Sequence, residues 1–279
     1  MTGVRVSPSW LALREPADAA ARAGDLVDLL VRELPARRPL EVHDLGCGTG
    51  SMLRWLAPRL PGPQHWVCYD LDTNLLAIAE REGGPWARGG SPVTVEVRRR
   101  DVTRLAPGEC AGAALITTSA LLDLLSSDEL GRLVATCVAA ACPALLTLSV
   151  CGRVEMWPPH PLDAVVGAAF DAHQRRVAGG RRLLGPDAAA ATVRAFRRSG
   201  HDVVARPSAW HLGAEERWLT TAWFTGWLAA ACEESPQLEP ETSDYAAQRL
   251  ADAAAGTLRV LVHHRDLLVR PPDRPGTAG

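Results

Sequence analysis

Lysine is missing from this sequence, because all thirty basic residues of the 279-residue chain are arginine. An enzyme that forms a Schiff base needs a lysine, and so does a Walker-type phosphate loop, in which Gly-Lys precedes Ser or Thr. Both classes of protein are therefore excluded. The length suits one large α/β domain or a domain with an insertion, and a hydrophobic fraction of 47% supports a packed core.

Other features are scarce as well. No apolar run reaches the roughly 18–20 residues that a membrane span requires, and the first residues show no charged-then-apolar leader. The seven cysteines include no Cys-x-x-Cys pair, which argues against a disulfide framework or a zinc site. A formal net charge of −2 gives no general attraction for nucleic acid. We therefore expect a cytoplasmic protein with no metal, membrane or nucleic-acid partner.

The most informative segment runs from Leu40 to Gly50 and reads Leu-Glu-Val-His-Asp-Leu-Gly-Cys-Gly-Thr-Gly. Its first half predicts a buried strand, and its glycines predict a loop that leads into a helix. Glycine tolerates positive φ and allows close approach of a ligand, and N–H groups at a helix N-terminus can meet ligand polar groups. Ser51 stands where the dinucleotide fingerprint Gly-x-Gly-x-x-Gly has its third glycine, so the spacing argues against NAD.

Residues 44–50, Asp-Leu-Gly-Cys-Gly-Thr-Gly, closely resemble motif I of the class I S-adenosylmethionine (SAM)-dependent methyltransferases. The resemblance implies that SAM is the cofactor, that Asp44 serves its methionine end, and that the glycine loop makes room for it. The loop residues expected at the cofactor are Gly46, Cys47, Gly48 and Gly50. Segments 50–57, 173–176 and 185–188 are also similar to a bacterial, small-molecule-type group of this family whose substrate is unknown.

Further cofactor residues are expected after later strands. Asp70 ends the second predicted strand, twenty positions beyond Gly50, with Leu71 next to it. A carboxylate there can accept both ribose hydroxyls of a nucleoside, in NAD or in SAM, although a capping role is the alternative. The family resemblance further implies that Asp101 binds the adenine amino group and that the Val102 backbone serves the ring. It also places the hydroxyl residues of motif IV near the methyl group; these are Thr118 and Ser119.

Strands and helices alternate along the chain, which predicts an α/β fold. We expect a doubly wound, Rossmann-like, seven-stranded sheet with helices on both faces and an antiparallel last strand. Two departures from the common fold are a substrate-facing insertion at about 151–185 and a helical insertion at about 213–255. The predicted organisation is an N-terminal helical extension (1–36) that covers the cofactor site, a methyltransferase domain (37–270) and a disordered tail (271–279).

Within the N-terminal extension we expect an irregular segment, 1–16, followed by one amphipathic helix, 17–34. The resemblance to methyltransferases suggests that Arg14 or Arg22 meets the carboxylate of SAM. The interpretation that we favour from the sequence is that both are solvated surface charges.

A general base is needed only when the methyl acceptor is protonated at working pH. The candidates that we favour are His173 and then His160, with Trp157 and Arg175 as substrate-binding residues, although each could be a packing or surface residue. The tryptophans of 210–227 are interpreted as core or interface rather than as a substrate cage. His263 and His264 are consecutive in a strand, so they are poor metal partners for one another.

The sequence therefore predicts a SAM-dependent methyltransferase that acts on a small molecule. Methylation of a protein or RNA group is one alternative, and a SAM-binding regulatory protein without transferase activity is another. The apolar, tryptophan-bearing face of 213–255 is expected either to pack on the sheet or to form a homodimer contact. The acceptor cannot be derived from the sequence.

Overall fold

The computed structural model describes residues 6–35 and 39–272. The strands, in chain order, are β1 Leu40–Leu45, β2 Gln64–Asp70, β3 Val93–Arg99, β4 Leu115–Ser119, β5 Ala144–Trp157, β6 Val177–Ala178, β7 Arg181–Arg182, β8 Asp202–Leu212 and β9 Arg259–Arg270. The helices are α1 Pro8–Ala21, α2 Gly24–Glu33, α3 Ser51–Leu56, α4 Thr73–Glu82, α5 Ser127–Ala140, α6 Leu162–Gln174, α7 Ala188–Arg198, α8 Arg217–Glu234 and α9 Glu239–Ala255. Apart from Pro271 and Pro272, the predicted tail lies outside the described residues.

Seven strands form one sheet in the order β3-β2-β1-β4-β5-β9-β8. The first five strands are parallel, and β9 lies antiparallel between β5 and β8. Apolar side chains of α5 and α7 pack in one cluster, and those of α2, α3 and α4 pack in another. The predicted doubly wound sheet with helices on both faces and an antiparallel last strand is confirmed.

The N-terminal extension differs from the prediction, because it contains two helices instead of one. The first helix starts early, at Pro8, where the Ser7 side chain accepts a hydrogen bond from the Trp10 backbone N–H. It ends at Arg22, whose φ of −58° and ψ of 134° are extended, and α2 then begins at Gly24. The predicted single helix is therefore wrong, as is the predicted irregular segment over 8–16, whereas its residues 1–5 lie outside the described residues. The break buries Arg22 instead of leaving it on a helix surface.

The fifth strand is longer than the apolar run 144–150 predicts. It continues to Trp157 by pairing with β9 across two register shifts. Leu148 and Gly152, within the shifted stretches, have φ values of 57° and 68°. Such bulges bend a strand and re-aim its side chains. The 151–185 insertion thus begins inside the sheet and continues through α6 and the β6–β7 hairpin.

The helical insertion, with α8 and α9, packs back onto the extended ends of β5, β8 and β9. Trp223 and Trp227 are buried there in a third apolar cluster that includes Met156, Trp210 and Val262. Of the two predicted arrangements, packing on the sheet is observed, and a homodimer contact stays a prediction. Among the described helices, none has the length and apolar character needed to cross a membrane.

Candidate active site

A cavity of about 1560 Å³ opens at the carboxyl ends of the parallel strands, where ligands bind in such sheets. At one end it is lined by the glycine loop after β1 and by the residues that follow β2 and β3. At the other end lie α6, α8 and the extended parts of β5, β8 and β9. Helix α1 lines the cavity between these ends through Trp10, Leu11, Arg14 and Asp18.

The backbone of the glycine loop lies close to two leucine side chains at the cavity. Gly46 and Gly48 have φ values of 72° and 56°. A Cβ at Gly46 would lie 3.3 Å from a Leu121 methyl carbon, and one at Gly48 would lie 3.2 Å from Leu11. Side chains at these positions would therefore be strained and would narrow the loop end of the cavity.

Asp44 is buried at the end of β1 and faces this cavity. One carboxylate oxygen accepts a hydrogen bond from the Thr117 hydroxyl at 2.8 Å, and the other, Oδ2, has no partner. Burial raises the pKa of Asp44 to about 7, against the opposing effects of Thr117 and Arg22. A buried acceptor without a partner fits the amino group of a methionine-like ligand.

Arg22 lies behind the same end of the cavity, and the surface role that we favoured for it is wrong. Its Nη2 donates to the hydroxyls of Ser51 and Ser119, each at 3.1 Å, and both serines line the cavity. Its Nε and Nη1 are buried without partners, and burial lowers its pKa. Asp44 lines the cavity and Arg22 lies behind Ser51 and Ser119, so this end combines an acidic and a basic side chain, the two charges that an α-amino acid zwitterion requires.

Two carboxylates line the opposite end of the cofactor region. The Asp70 oxygens accept hydrogen bonds from the backbone N–H groups of Gly48 (2.9 Å) and Asp72 (3.0 Å). Asp101 accepts from the backbone and hydroxyl of Thr103 at 3.1 and 2.6 Å, and caps a short 3₁₀ turn. Asp70 therefore fixes the glycine loop directly, and its remaining lone pairs are available to a nucleoside.

Most of the predicted cofactor residues meet at this one cavity. The lining includes Asp44, Gly46, Cys47, Gly48, Asp70, Leu71, Asp101, Val102 and Ser119. The other two predicted residues do not line it. Gly50 caps α3, and a Cβ there would lie 3.3 Å from Arg54 and 3.5 Å from Ala79. The Thr118 hydroxyl is buried without a partner inside the sheet, since successive strand residues face opposite sides.

The structure does not bring the predicted catalytic and substrate residues to the cavity. His173 instead turns toward α8, with Nε2 3.3 Å from a Glu233 oxygen. The ring of His160 packs on Tyr245, with centroids 4.8 Å apart. The predicted substrate residues also lie elsewhere, because Arg175 pairs with Asp187 at 2.6 Å and Trp157 is 45% exposed.

The correction for His173 concerns the face of α6, not the helix itself. Phe170, Asp171 and Gln174 line the cavity. These three residues form one face, since residues three and four positions apart lie side by side on a helix, and His173 lies at the edge of that face, next to Glu233 of α8. The helix was correctly placed near the substrate end, but the sequence could not define its rotation.

Asp123 is a cavity residue that the sequence interpretation missed. It lies in the 3₁₀ turn Leu122–Leu124 just after β4, and its carboxyl group forms no ion pair with any described residue. Burial raises its pKa to about 6. The available signal was an acidic residue inside the apolar run Leu-Leu-Asp-Leu-Leu at 121–125. A carboxyl group in that setting can act as a general base near neutral pH.

Arg14, Asp18, Trp210 and His264 form a connected group on the cavity wall. Arg14 donates two hydrogen bonds to Asp18, at 2.9 and 3.1 Å, and lies over the Trp210 ring at 5.0 Å. Trp210 Nε1 donates to Asp18 at 2.9 Å, and the rings of Trp210 and His264 have centroids 5.4 Å apart. The solvated role that we favoured for Arg14 is therefore also wrong.

Comparison with known proteins identifies the central part of this chain. Residues 42–143 match the family model for a methyltransferase domain. The trans-aconitate 2-methyltransferase of Streptomyces avermitilis is 40% identical over 85 residues, which span 30% of this chain and 31% of that protein. The match thus covers about a third of the length of that relative.

Two solved structures illustrate the likeness in fold. A cyclopropane synthase of Mycobacterium tuberculosis is 14% identical, with 95% of each chain covered and a TM-score of 0.52. A magnesium protoporphyrin IX methyltransferase of Synechocystis, solved with bound S-adenosylhomocysteine, is 17% identical, with 75% of this chain and 83% of that chain covered and a TM-score of 0.43.

The fold and the site are therefore those expected of a class I SAM-dependent methyltransferase. The segment 42–143 belongs to the methyltransferase domain family, and it contains the glycine loop, Asp70 and Asp101. The predicted class of protein and its cofactor, SAM, are confirmed. The acceptor is not identified by these matches, because most of the aromatic end of the cavity lies outside 42–143.

Proposed function

We propose that this protein transfers the methyl group of SAM to a small-molecule acceptor. The observation that supports the proposal is the single cavity that joins the glycine loop to an aromatic end. One part of it carries the cofactor residues, and the other part is walled by Trp210, Trp223 and Trp227. Enclosed apolar sites with a few polar groups suit small ligands better than a protein or RNA surface.

Bound SAM supplies a methyl group on a positively charged sulfur, and the sulfur keeps the electron pair of the broken S–C bond when the acceptor bonds to the methyl carbon. In our proposal, Asp44 and Arg22 hold the methionine end, and Asp70 and Asp101 hold the nucleoside. The chain mainly aligns the two reactants and excludes water. Alignment alone can lower the activation free energy by several kcal/mol.

We assign the general base to Asp123 in place of His173. Asp123 lies four residues after Ser119, the last residue of β4, and both residues line the same cavity. A pKa of about 6 keeps the carboxylate ionised at pH 7 and leaves it basic enough to take a proton from the acceptor. The proton then passes from Asp123 to solvent after the product leaves.

Calorimetry with SAM, S-adenosylhomocysteine and NAD tests the cofactor part of the proposal. We expect both sulfur compounds to bind and NAD not to bind. Incubation of the protein with a cell extract and methyl-labelled SAM, followed by mass spectrometry, tests the transfer. Label that appears only in small molecules supports the proposal, and label in protein or RNA contradicts it. Cofactor binding without any labelled product would favour the non-catalytic alternative. The cytoplasmic location and the homodimer stay predictions.

A further inference from the structure

We propose that the acceptor is an uncharged aromatic compound with hydroxyl groups, packed against tryptophan rings and held by the Trp227 indole N–H and the His264 imidazole. The inference rests on the proposed function, since it names the class of acceptor for the same cavity. It concerns the aromatic compartment, which we define as the cavity wall formed by Phe170, Trp210, Trp223, Trp227 and His264.

The shape of the aromatic compartment favours a flat ligand. Trp223 and Trp227 stack with ring centroids 5.4 Å apart and an interplanar angle of 23°. The ring of Phe170 lies 6.3 Å from Trp227. Both tryptophans are more than nine-tenths buried, so their rings are held by the surrounding core. Fixed aromatic surfaces of this kind bind other aromatic rings well, by stacking or edge contacts.

Two buried polar atoms of the compartment have no hydrogen-bond partner among the described residues. They are Trp227 Nε1, on a side chain that is 2% exposed, and His264 Nδ1, on a side chain that is 5% exposed. Both residues line the cavity. Native proteins rarely bury a polar atom without a partner, so a ligand that pairs with both atoms would satisfy their hydrogen-bonding capacity.

His264 lies at the edge of the aromatic compartment that is nearer to the cofactor end. Along β9, Asp266, His264 and Val262 alternate onto the same face. The Asp266 carboxylate accepts from the backbone of Ala23, next to Arg22 at the methionine end, whereas Val262 belongs to the apolar cluster around Trp227. An acceptor group bound to His264 is therefore placed where the two halves of the cavity meet.

The charges of the cavity disfavour an anionic acceptor. Arg14 is paired with Asp18, and Arg181 donates to both oxygens of Glu129 at 2.8 and 2.7 Å. Arg153, the third arginine at this end, lies 2.9 Å from a Glu155 oxygen. By contrast, the carboxyl groups of Asp123 and Asp171 line the cavity and form no ion pair with a described residue. A carboxylate ligand would meet unpaired negative charge.

A hydroxyl group matches both unpartnered atoms. The indole N–H of Trp227 can only donate, so it needs an oxygen lone pair. Burial lowers the pKa of His264 to about 3, so its imidazole is neutral at pH 7. It can therefore accept a hydrogen bond from the hydroxyl group. A protonated amine only donates and would leave Trp227 unpaired.

The test measures binding to the protein loaded with S-adenosylhomocysteine, by calorimetry. The probes are 2-naphthol, naphthalene-2-carboxylate and trans-aconitate, the tricarboxylate after which the Streptomyces avermitilis relative is named. We expect 2-naphthol to bind at least about tenfold more tightly than either carboxylate. The variant Trp227→Phe keeps an aromatic ring and removes the N–H, so it should weaken 2-naphthol binding by about fivefold.

The matched control is Trp218→Phe, since Trp218 lies on the same helix α8 but is 68% exposed and outside the cavity. It should change 2-naphthol binding less than about twofold. Equal or tighter binding of the carboxylates, failure of 2-naphthol to bind at millimolar concentration, or unchanged binding in Trp227→Phe would each overturn the inference. Affinity for S-adenosylhomocysteine is measured separately, so its loss would count against the proposed function instead.

Discussion

At the scale of single residues, Asp44 is a buried carboxyl group whose charge we expect to change when the ligand binds. Its pKa of about 7 means that a large fraction is protonated at pH 7 in the free protein. A cationic amino group beside Oδ2 would favour the ionised form, because a nearby positive charge lowers the pKa of a carboxyl group.

We therefore expect binding of S-adenosylhomocysteine at pH 7 to release about half a proton from Asp44. The observed enthalpy should then vary with the ionisation enthalpy of the buffer, and calorimetry in phosphate and in Tris measures the difference. In Asp44→Asn the dependence on buffer should vanish, and affinity should fall. A buffer dependence that persists in this variant would show that another group releases the proton.

The second prediction at this scale concerns Asp123 and the turnover number kcat, which can be measured once an acceptor is known. Asp123→Asn keeps the shape of the side chain and removes the base, so kcat should fall by about 10²–10⁴-fold with cofactor affinity unchanged. In the wild type, kcat should decline below about pH 6, because protonation of a carboxyl group with this pKa removes its basicity.

The control for Asp123 is Asp128→Asn, an exposed carboxyl group in the first turn of α5. Its turnover and pH profile should match the wild type. A loss below about tenfold in Asp123→Asn would limit that residue to positioning the acceptor. An unchanged acid limb of the pH profile would assign that limb to a different group.

The residues that the sequence placed at the cavity share one property, because each lies at or just after the carboxyl end of a strand. Asp44, Asp70, Asp101 and Ser119 all follow from the strand ends and the family motif. The buried position of Arg22, by contrast, depends on a break between two helices that an amphipathic pattern does not reveal. The roles of Asp123 and His264 depend on long-range packing, which sets burial and therefore pKa and hydrogen-bonding state.

At the scale of elements, the bulged end of β5 is fixed by a single buried side chain, Asp266. Its carboxylate accepts hydrogen bonds from the backbone of Leu148 (2.7 Å), the backbone of Ala23 (2.8 Å) and the hydroxyl of Ser208 (2.5 Å). It thus connects β5, β8, β9 and the start of α2. Leu148 has a φ of 57°, a conformation that a side chain other than glycine adopts only when its surroundings hold it.

Asp266→Ala should lower the free energy of unfolding by about 3 kcal/mol, because it leaves buried N–H and hydroxyl donors without an acceptor. Urea denaturation followed by circular dichroism measures the change. The control is Asp202→Ala on β8, where an exposed carboxyl group pairs with Arg270. An exposed pair contributes at most about 1 kcal/mol. Equal losses in the two variants would show that Asp266 does not hold the bulge.

The elements themselves were predicted well wherever local signals were strong. The capping box of Ser126 and Glu129 marks the start of α5, and the Asp72 side chain caps α4. Prediction failed where tertiary pairing decided the outcome. The end of β5 follows from its partner β9, which lies more than a hundred residues away, and the rotation of α6 follows from α8. Such contacts leave no local pattern in the sequence.

At the scale of the whole molecule, the N-terminal helix α1 lines the cavity together with the sheet. Glu15 on α1 accepts two hydrogen bonds from Arg54 on α3, at 2.7 and 2.6 Å. Arg54 also donates to the carbonyl of Thr49 in the glycine loop and pairs with Glu82 on α4. Thr49 lines the cavity, as does Arg14 next to Glu15, so a ligand there would contact both α1 and the glycine loop beside this connection.

We expect S-adenosylhomocysteine to protect α1 and the glycine loop from hydrogen exchange, because opening either element would break ligand contacts as well as the Arg54 connection. Exchange of the full chain, followed by mass spectrometry with and without the ligand, measures the effect. Helix α9 provides the internal reference, since it packs on α8 and contributes no residue to the cavity lining. Protection should be strongest at 8–21 and 44–54. Tight binding that leaves α1 exchange unchanged would mean that this helix does not cover the cofactor, and Asp44 and Asp70 would then have to hold it from the sheet side alone.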